Sequence, residues 1–243
     1  MEKEYYRQIA ALQNIHWWYE GRRRIISDVI VRLKLPADAE ILEAGCGSGA
    51  NLGVLQKFGK VSGFEPDNFA AKYASEVSGC RILNGYLPDQ TPFSAEFDLV
   101  CAFDVIEHID DEAGALDALF CKTKAGGYAL ITVPAHQWLW SSHDDMNHHK
   151  RRYNLLQFQR AIEKAGYDVK KISYYNMWLF PLAVVVRYIK KIFRMEDKSD
   201  VSTPSMAVNK VLTRIFSSEK YFLRYLSLPF GLSIIALCGK RDD

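Results

Sequence analysis

Short apolar runs alternate with amphipathic segments through the middle of the chain. Each apolar run is long enough for a buried strand and is followed by residues whose apolar positions recur at helical spacing. This alternation predicts a doubly wound α/β fold, in which helices cover both faces of a mainly parallel sheet. The predicted strands of this region are Ile41–Ala44, Val61–Phe64, Cys80–Leu83, Phe97–Phe103 and Tyr128–Val133.

The two ends of the chain do not follow this alternation of strand and helix patterns. Before the first strand, apolar residues at helical spacing predict a helix that ends near Leu35, because Pro36 cannot continue it. After the fifth strand, a helix and a strand precede an apolar segment, a polar stretch at 196–205 and a further helix. The predicted parts are an amino-terminal helical lid (1–35), an α/β core (36–175), a helical insertion (176–229) and a last strand completing the core (230–243).

Composition narrows the class of protein. The chain is 49% hydrophobic and 25% charged, as expected of a globular domain, and its net charge of +2 argues against a nucleic-acid partner. The five cysteines are scattered without a CxxC pair, which indicates reduced thiols in the cytoplasm. The start of the chain lacks a signal-peptide core. The charge-free stretches at 172–186 and 225–239 are shorter than the roughly 20 residues that a membrane-spanning helix needs. We therefore expect a cytoplasmic protein.

A glycine-rich turn follows the first predicted strand. The stretch EAGCGSG at 43–49 lets the backbone turn sharply and approach a ligand closely, beside the free N–H groups of the next helix. Its GxGxG spacing differs from the GxGxxG of dinucleotide-binding folds, which argues against a nicotinamide-dependent dehydrogenase. Glu65 ends the second strand about 20 residues beyond Gly45, where an acidic side chain binds ribose hydroxyls. Asp104 and Glu107 follow the fourth strand at the same edge of the sheet.

Five stretches, in this order, resemble the class I S-adenosylmethionine (SAM)-dependent methyltransferases. They are ILEAGCGSG, GFEPD, NGYLPDQTPF, FDLVCAFDVIEHI and KAGGYALITVP, within residues 40–135. The resemblance implies a Rossmann-like sheet of seven strands with an antiparallel last strand. It also implies SAM as the cofactor and a small molecule as the methyl acceptor.

The flanks of the chain resemble a narrower group of these enzymes, from polysaccharide and lipid-linked sugar pathways. HWWYEGRRRII, HHKRRYN and LPFGLSIIALCGK carry this second resemblance. It implies a sugar or lipid-linked hydroxyl as the acceptor. The alternative is a regulatory protein that binds SAM without catalysing a reaction.

The resemblance also implies which residues contact the cofactor. The family often has an acidic residue at the adenine-binding loop, but here Asn84, Gly85 and Tyr86 occupy that region. The implied contacts are Glu43, Gly45, Cys46, Gly47, Glu65, Pro66, Tyr86, Leu87, Phe103, Asp104, Val105 and His108.

The segment HWWYEGRRR before the first strand has two interpretations. Segments in this position commonly lie over the cofactor in this fold, so we expect Trp17 and Arg23 to reach it. Alternatively, the segment is a helix whose aromatic residues pack on the sheet while its arginines face water.

The loop after the fifth strand is rich in histidine and aspartate. Imidazole titrates near neutral pH, so His143 and His148 are candidates for a general base that removes a hydroxyl proton. We expect Asp144, Arg152 and Tyr153 to contact the substrate. Histidine and aspartate also bind metal ions, but no metal-binding spacing is matched, so no metal is expected. A further alternative is that the histidines are solvated.

The apolar segment at 177–194 also has two interpretations. It packs against the following helix, in the core or in a dimer, or it lies peripherally on a membrane with basic side chains toward phosphates. Those basic residues are Arg187, Lys190, Lys191 and Arg194. The sequence is compatible with a monomer and with a homodimer.

Overall fold

Seven strands form one sheet in the computed structural model, which describes residues 10–192 and 204–242. They are β1 (Glu40–Ala44), β2 (Lys60–Glu65), β3 (Arg81–Asn84), β4 (Phe97–Phe103), β5 (Thr123–Pro134), β6 (Asp168–Tyr175) and β7 (Ser233–Gly239). The strand order is β3-β2-β1-β4-β5-β7-β6. Strand β7 runs antiparallel between β5 and β6, whereas the other neighbouring pairs are parallel. The predicted fold is therefore confirmed.

Helices lie on both faces of this sheet. The described helices are α1 (10–15), α2 (Trp17–Val31), α3 (Leu52–Leu55), α4 (Asn68–Ser78), α5 (Glu112–Lys122), α6 (Ser142–Met146), α7 (Leu155–Lys164), α8 (Phe180–Ile192) and α9 (Met206–Leu223), with 3-10 turns at Ile106–His108 and Gln137–Leu139. Because the order of the strands reverses between β1 and β4, their carboxyl ends open a crevice of the kind that binds ligands in such sheets.

Strand β5 is longer than its sequence predicts. It begins at Thr123, although the sequence pattern predicts a strand that starts at Tyr128. Gly126 donates its N–H to the carbonyl of Lys240, and Lys240 donates to the carbonyl of Gly127. These bonds to the end of the chain extend the ladder through the two glycines, and such a long-range partner leaves no signal in the local sequence.

The core consists of two apolar clusters, one on each face of the sheet. Neighbouring residues of a strand point to opposite faces, so Leu42 joins one cluster and Ile41 the other. Helices α5 and α7 cover the first face, and α2, α3, α4 and α9 cover the second. Side chains such as Ile25 and Phe216 are completely buried there, and each contributes about 1.5–3 kcal/mol to the free energy of unfolding.

Helices α2 and α9 pack together in one layer, although they belong to two separate predicted parts, the amino-terminal lid and the helical insertion. A side chain at Gly21 would have its Cβ 2.4 Å from Cδ1 of Phe216, so only glycine lets the two helices approach this closely. The backbone N–H of Trp17 donates to Oδ1 of Asn209 at 2.8 Å, and Arg224 pairs with Asp28. The amino-terminal helix is thereby held by the segment that precedes the last strand.

Some predicted features lie outside the described residues. They include residues 1–9 of the predicted lid, Arg194, and most of the polar stretch at 196–205. Within the described ranges, no helix combines the length and the apolar character needed to cross a membrane.

Glu219 on α9 fixes the chain segment that leaves β6. Its carboxylate accepts the backbone N–H groups of Asn176 at 2.6 Å and Trp178 at 2.9 Å. The residue is completely buried, and this burial raises the pKa of Glu219 to about 7 against the opposing effect of the hydrogen bonds. The segment before α8 therefore depends on one buried acceptor.

Glu219→Gln should lower the free energy of unfolding by about 1–3 kcal/mol, because an amide cannot accept with both of its polar atoms and leaves a buried N–H without a partner. Urea denaturation at neutral pH measures the change. Glu76→Gln is the matched control: it removes an exposed pair with Lys72 at 3.9 Å, for which we expect a change within about 0.5 kcal/mol. Equal effects of the two substitutions would contradict the role given to Glu219.

Candidate active site

The glycine turn after β1 leaves an open space at the carboxyl edge of the sheet. Gly45 and Gly47 have φ angles of +65° and +55°, a region that side chains disfavour. A Cβ at Gly45 would lie 2.7 Å from Cγ2 of Val105, so packing requires glycine there. A Cβ at Gly47 would meet no atom within 4 Å. Gly47 therefore borders space in which a ligand could approach the backbone.

Glu65 lies beside this turn at the end of β2. Its Oε2 accepts the N–H of Gly47 at 2.9 Å, and its Oε1 accepts the N–H of Asp67 at 3.2 Å. Burial raises the pKa of Glu65 above its ordinary value, although both of these bonds favour the charged form. The carboxylate is thus fixed at the rim of the turn, where the sequence predicts contact with a ribose.

Glu43 lies beneath the turn with one oxygen available. Its Oε1 accepts from Nδ2 of Asn51 at 2.7 Å, whereas Oε2 is buried and has no hydrogen-bond partner in the described part of the chain. Burial raises the pKa of Glu43 to about 7, despite the hydrogen bond from Asn51 and the charge of Arg22. An unpaired buried acceptor of this kind fits a ligand that carries a hydrogen-bond donor. Cys46 is buried in the turn, where burial raises the pKa of its thiol.

Asp104 follows β4 and connects three elements of the fold. Its N–H donates to the carbonyl of Thr132 on β5 at 3.0 Å, and its Oδ1 accepts from the hydroxyl of Thr132 at 3.1 Å. Its Oδ2 pairs with Nη1 of Arg22 from α2. Burial lowers the pKa of Arg22, but the charge of Asp104 together with those of Tyr175, Tyr19 and Glu43 outweighs this effect, so the pKa of Arg22 is raised overall. The ion pair is largely shielded from water.

The face of α2 that reaches Asp104 carries Trp18 and Arg22. The guanidinium carbon of Arg22 lies 4.5 Å from the centre of the Trp18 ring. Trp17 instead packs edge-on against Phe216, and Arg23 donates to the carbonyl of Gln13 at 2.8 Å. The structure therefore brings Trp18 and Arg22 to the site, where we had expected Trp17 and Arg23. Residues four apart share a helical face, so the pairing of 18 with 22 was accessible from the sequence.

The loop after β3 provides one apolar and one exposed side chain. Leu87 is buried and Tyr86 is exposed, and their loop is closed by mutual backbone bonds between Tyr86 and Gln90. Asn84 lies in the region where related enzymes often have an acidic residue for adenine. Its side-chain N–H donates to the carbonyl of Pro66 at 2.7 Å. This amide thus ties the ends of β2 and β3 together. Phe103, at the end of β4, is buried in the second cluster.

Asp144 and Arg152 pair with each other inside the loop after β5. Oδ1 of Asp144 accepts from Nε of Arg152 at 2.6 Å, and Nη1 of Arg152 donates to the carbonyl of Ala135 at 3.1 Å. Although burial opposes the charge, bonds from His149 and Arg152 hold the pKa of Asp144 below its ordinary value. Tyr153 is also buried. These three residues, expected to contact the substrate, lie in the interior and hold the loop in place.

A second polar cluster, which the sequence analysis missed, lies next to Asp104. Glu107, His108 and His149 each have a candidate ligand atom within 4.8 Å of the others. The rings of His108 and His149 are 4.7 Å apart. Burial and the charge of Asp104 raise the pKa of Glu107 well above its ordinary value, and burial together with His149 lowers the pKa of His108. The sequence signal for this cluster is the pair Glu107-His108 after β4 together with the pair His148-His149 in the loop after β5.

The two proposed bases occupy different parts of the loop after β5. His148 is exposed and has a left-handed backbone, with φ +57°. His143 lies in α6, and its side chain is outside the described part of the structure. Among the loop histidines whose side chains are described, His149 hydrogen-bonds an acid, with its Nδ1 2.8 Å from Oδ1 of Asp144.

Comparison with known protein families shows that the cofactor is SAM and not a nicotinamide dinucleotide. Residues 17–172, more than half of the chain, match the family model described as a methyltransferase domain. The chain belongs to the class I SAM-dependent methyltransferase family. SAM is the cofactor of this family, so the predicted family and cofactor are confirmed.

A curated relative supports the assignment at low identity. It is described as a SAM-dependent methyltransferase of Mycolicibacterium smegmatis and is 25% identical over 168 residues. The match covers 68% of this chain and 64% of the relative, which is less than two thirds of that protein's length.

Solved structures of low sequence identity share the fold. One is the complex between the Haloferax volcanii Trm112 methyltransferase activator and a methyltransferase, with a TM-score of 0.61 and 16% identity over 95% of this chain and 92% of that one. Another is SpnF, a [4+2]-cyclase, with a TM-score of 0.57 and 14% identity over 90% of this chain and 81% of that one. At this level of identity the likeness extends to the fold alone.

The methyltransferase site offers what SAM requires. The space in front of Gly47 admits a ligand close to the backbone, Glu65 presents a carboxylate at the rim, and Glu43 has an unpaired acceptor for the amino group. Arg22, held by Asp104, brings a buried positive charge beside the same edge. These residues fit a ligand with a ribose and an amino-acid end.

Substitution of the two glycines separates packing from cofactor binding. Both Gly45→Ala and Gly47→Ala cost about 1–2 kcal/mol of stability, because alanine is strained at positive φ. Gly45→Ala costs about 1–3 kcal/mol more through its clash with Val105. Gly47→Ala should weaken S-adenosylhomocysteine binding at least about 10-fold, a loss of about 1.4 kcal/mol, by filling the space before the turn. Calorimetric titration and urea denaturation measure both quantities, and unchanged affinity in Gly47→Ala would place the cofactor elsewhere.

Proposed function

We propose that this methyltransferase transfers a methyl group from SAM to a hydroxyl of a small molecule, with a sugar or lipid-linked sugar as the acceptor. The observation that carries the proposal is the convergence of the open glycine turn, Glu65 and the Arg22–Asp104 pair at one edge of the sheet. The acceptor class rests on the resemblance of the chain's flanks to enzymes of sugar pathways.

The residues of this chain mainly position the reactants. When bound, SAM supplies a methyl on a positively charged sulfur, and an acceptor oxygen takes that methyl while the bonding pair stays on sulfur and the hydroxyl proton leaves. Glu65 would accept the ribose hydroxyls, and Glu43 the amino group. Arg22 and Trp18 would cover the site and exclude water. Alignment of two reactants in this way removes much of the entropic barrier without a covalent step on the protein.

His143 and His148 stay our candidates for the base that receives the proton. Both belong to the loop after β5, which leaves the sheet at the edge that carries the glycine turn. An imidazole there is suited to accept a proton near neutral pH. Asp144 and Arg152 would act on the acceptor indirectly, because their buried ion pair shapes this loop.

The exposed face of α8 supports a peripheral membrane contact, which would give access to a lipid-linked acceptor. Leu182, Val185, Tyr188 and Ile189 are each about half exposed, at 57%, 54%, 54% and 45%. Apolar side chains on one side of a helix bind the interface of a bilayer. Arg187 donates to the carbonyl of Leu139, and the side chains of Lys190 and Lys191 lie outside the described part. A cytoplasmic location agrees with the free thiols of all five cysteines.

Transfer of label from SAM tests the reaction and the acceptor together. The protein is incubated with methyl-labelled SAM and fractionated sugars, lipid-linked sugars, proteins and nucleic acids, with and without lipid vesicles. We expect label in the sugar or lipid-linked fraction. Label confined to protein or nucleic acid would contradict the acceptor class. Absence of label from every fraction would support the alternative, a regulatory protein that binds SAM without catalysis.

Thermal unfolding provides the accompanying binding control. At 100 times its dissociation constant, S-adenosylhomocysteine should stabilise the protein by about 2.7 kcal/mol, and NAD should not. A shift with NAD alone would overturn the choice of cofactor.

Two neighbouring arginines form a matched pair for the helix that covers the site. Arg22→Gln removes the buried partner of Asp104, so we expect S-adenosylhomocysteine affinity to fall on the order of 10-fold, or about 1.4 kcal/mol. Arg23→Gln removes bonds to the Gln13 and Asn14 carbonyls and a pair with Glu20, none of which involves Asp104, and should change affinity less than about 2-fold. Calorimetric titration below the unfolding temperature of both variants compares them. A larger loss in Arg23→Gln would restore our first expectation that Arg23 contacts the cofactor.

A further inference from the structure

Glu107 carries a buried carboxylate that has no hydrogen-bond partner in the described part of the chain. It is completely inaccessible to water, and neither of its carboxylate oxygens is bonded to any described residue. Its backbone carbonyl, by contrast, accepts the N–H of Lys150 at 2.7 Å, which brings the loop after β5 against it. A buried carboxylate is costly unless it is paired or coordinates a metal ion.

Two histidines next to Glu107 each have one ring nitrogen already engaged. Nδ1 of His149 is bonded to Asp144, and the ring of His108 is bonded to the backbone of Asn147. One ring nitrogen of each histidine and one oxygen of Glu107 all lie within 4.8 Å of one another. An acid or carbonyl that holds the outer nitrogen of a histidine is the usual support for a metal-binding imidazole.

The balance of charge around the cluster depends on Glu107. Asp104 is paired with Arg22, and Asp144 with Arg152. Glu107 has no such partner among the described residues, so the interior of this edge carries one excess negative charge when Glu107 is ionised. A bound cation would compensate it, as would a proton on Glu107.

We propose that Glu107, His108 and His149 bind a divalent transition-metal ion, with Asp144 orienting His149. Two imidazoles and one carboxylate suit Zn²⁺, Co²⁺ or Mn²⁺ better than Mg²⁺, which prefers oxygen ligands alone. Ligand distances of about 2.0–2.2 Å require the three groups to close by roughly 1 Å. Part of the His108 side chain is accessible to solvent although its ring is partly desolvated, and the residue belongs to a short 3-10 turn, so the side chain can make this movement.

The ion would retain coordination positions that the protein does not fill. Three protein ligands leave at least one position for an outside oxygen, as in catalytic metal sites. Glu107 is three residues beyond Asp104, so that position would lie at the edge where we place the acceptor. A role in holding an acceptor oxygen rests on the proposed methyl transfer, whereas binding of the ion does not.

Titration with Co²⁺ alone tests the site without SAM or acceptor. Chelator-treated protein should bind one Co²⁺ per chain, seen by its visible absorption, and Zn²⁺ should displace it. His149→Ala and Glu107→Gln should each weaken Co²⁺ binding at least about 100-fold, since even loss of a supporting residue costs 10–100-fold. Glu107→Gln keeps the shape of the side chain, so a folded variant is expected, and its thermal unfolding without metal checks this.

The adjacent exposed histidine provides the control. His148→Asn keeps a residue that tolerates the left-handed backbone at this position and should bind Co²⁺ as tightly as the parent protein. Absence of stoichiometric Co²⁺ binding in the parent would overturn the proposal and leave a protonated Glu107 as the explanation. Equal weakening by His148→Asn would also overturn it, because the ion would then be bound elsewhere in the loop. Because none of these measurements involves SAM, they can fail while methyl transfer is observed.

Discussion

The ion pair between Asp104 and Arg22 is the contact on which the arrangement of the site depends. Asp104 is fixed to β5 through Thr132 and follows the strand next to the glycine turn. Arg22 belongs to α2, which precedes the sheet in the chain. A largely buried charge pair is strongly disrupted when one partner is lost, because the other charge is left unpaired. This pair therefore determines where the amino-terminal helix meets the sheet.

The helix that carries Arg22 is itself held from the other end of the chain. Gly21 permits close contact with Phe216 of α9, and Trp17 and Asn209 add a hydrogen bond across the same interface. One face of α2 thus packs on α9 while the face with Trp18 and Arg22 covers the site. The amino-terminal helix and the insertion before β7 form one layer over the methyltransferase core. A substitution that shifts one of these helices would therefore shift the other.

The fold by itself leaves the chemistry undecided. The same architecture occurs in a protein named as a [4+2]-cyclase as well as in methyltransferases. In the loop after β5 of this chain, the Asp144–Arg152 pair fixes the backbone, and the bond from Asp144 holds His149 beside Glu107. Function on a shared fold is determined by such local groups, so the acceptor should be sought through this loop.

The sequence by itself determined the buried strands and the glycine turn, because these depend on local patterns, and its resemblance to a known family implied the antiparallel last strand and the cofactor class. Apolar runs with turns between them specify buried strands, and the glycine spacing with Glu65 specifies the turn beside them. Only the tertiary structure decided which residues of α2 reach Asp104, and that Asp144 and Arg152 pair in the interior. It also joined Glu107 and His108 to His149, some forty residues later in the chain. Side chains that meet across such distances do so through strand order and helix packing, and no local pattern records which of their atoms will face one another.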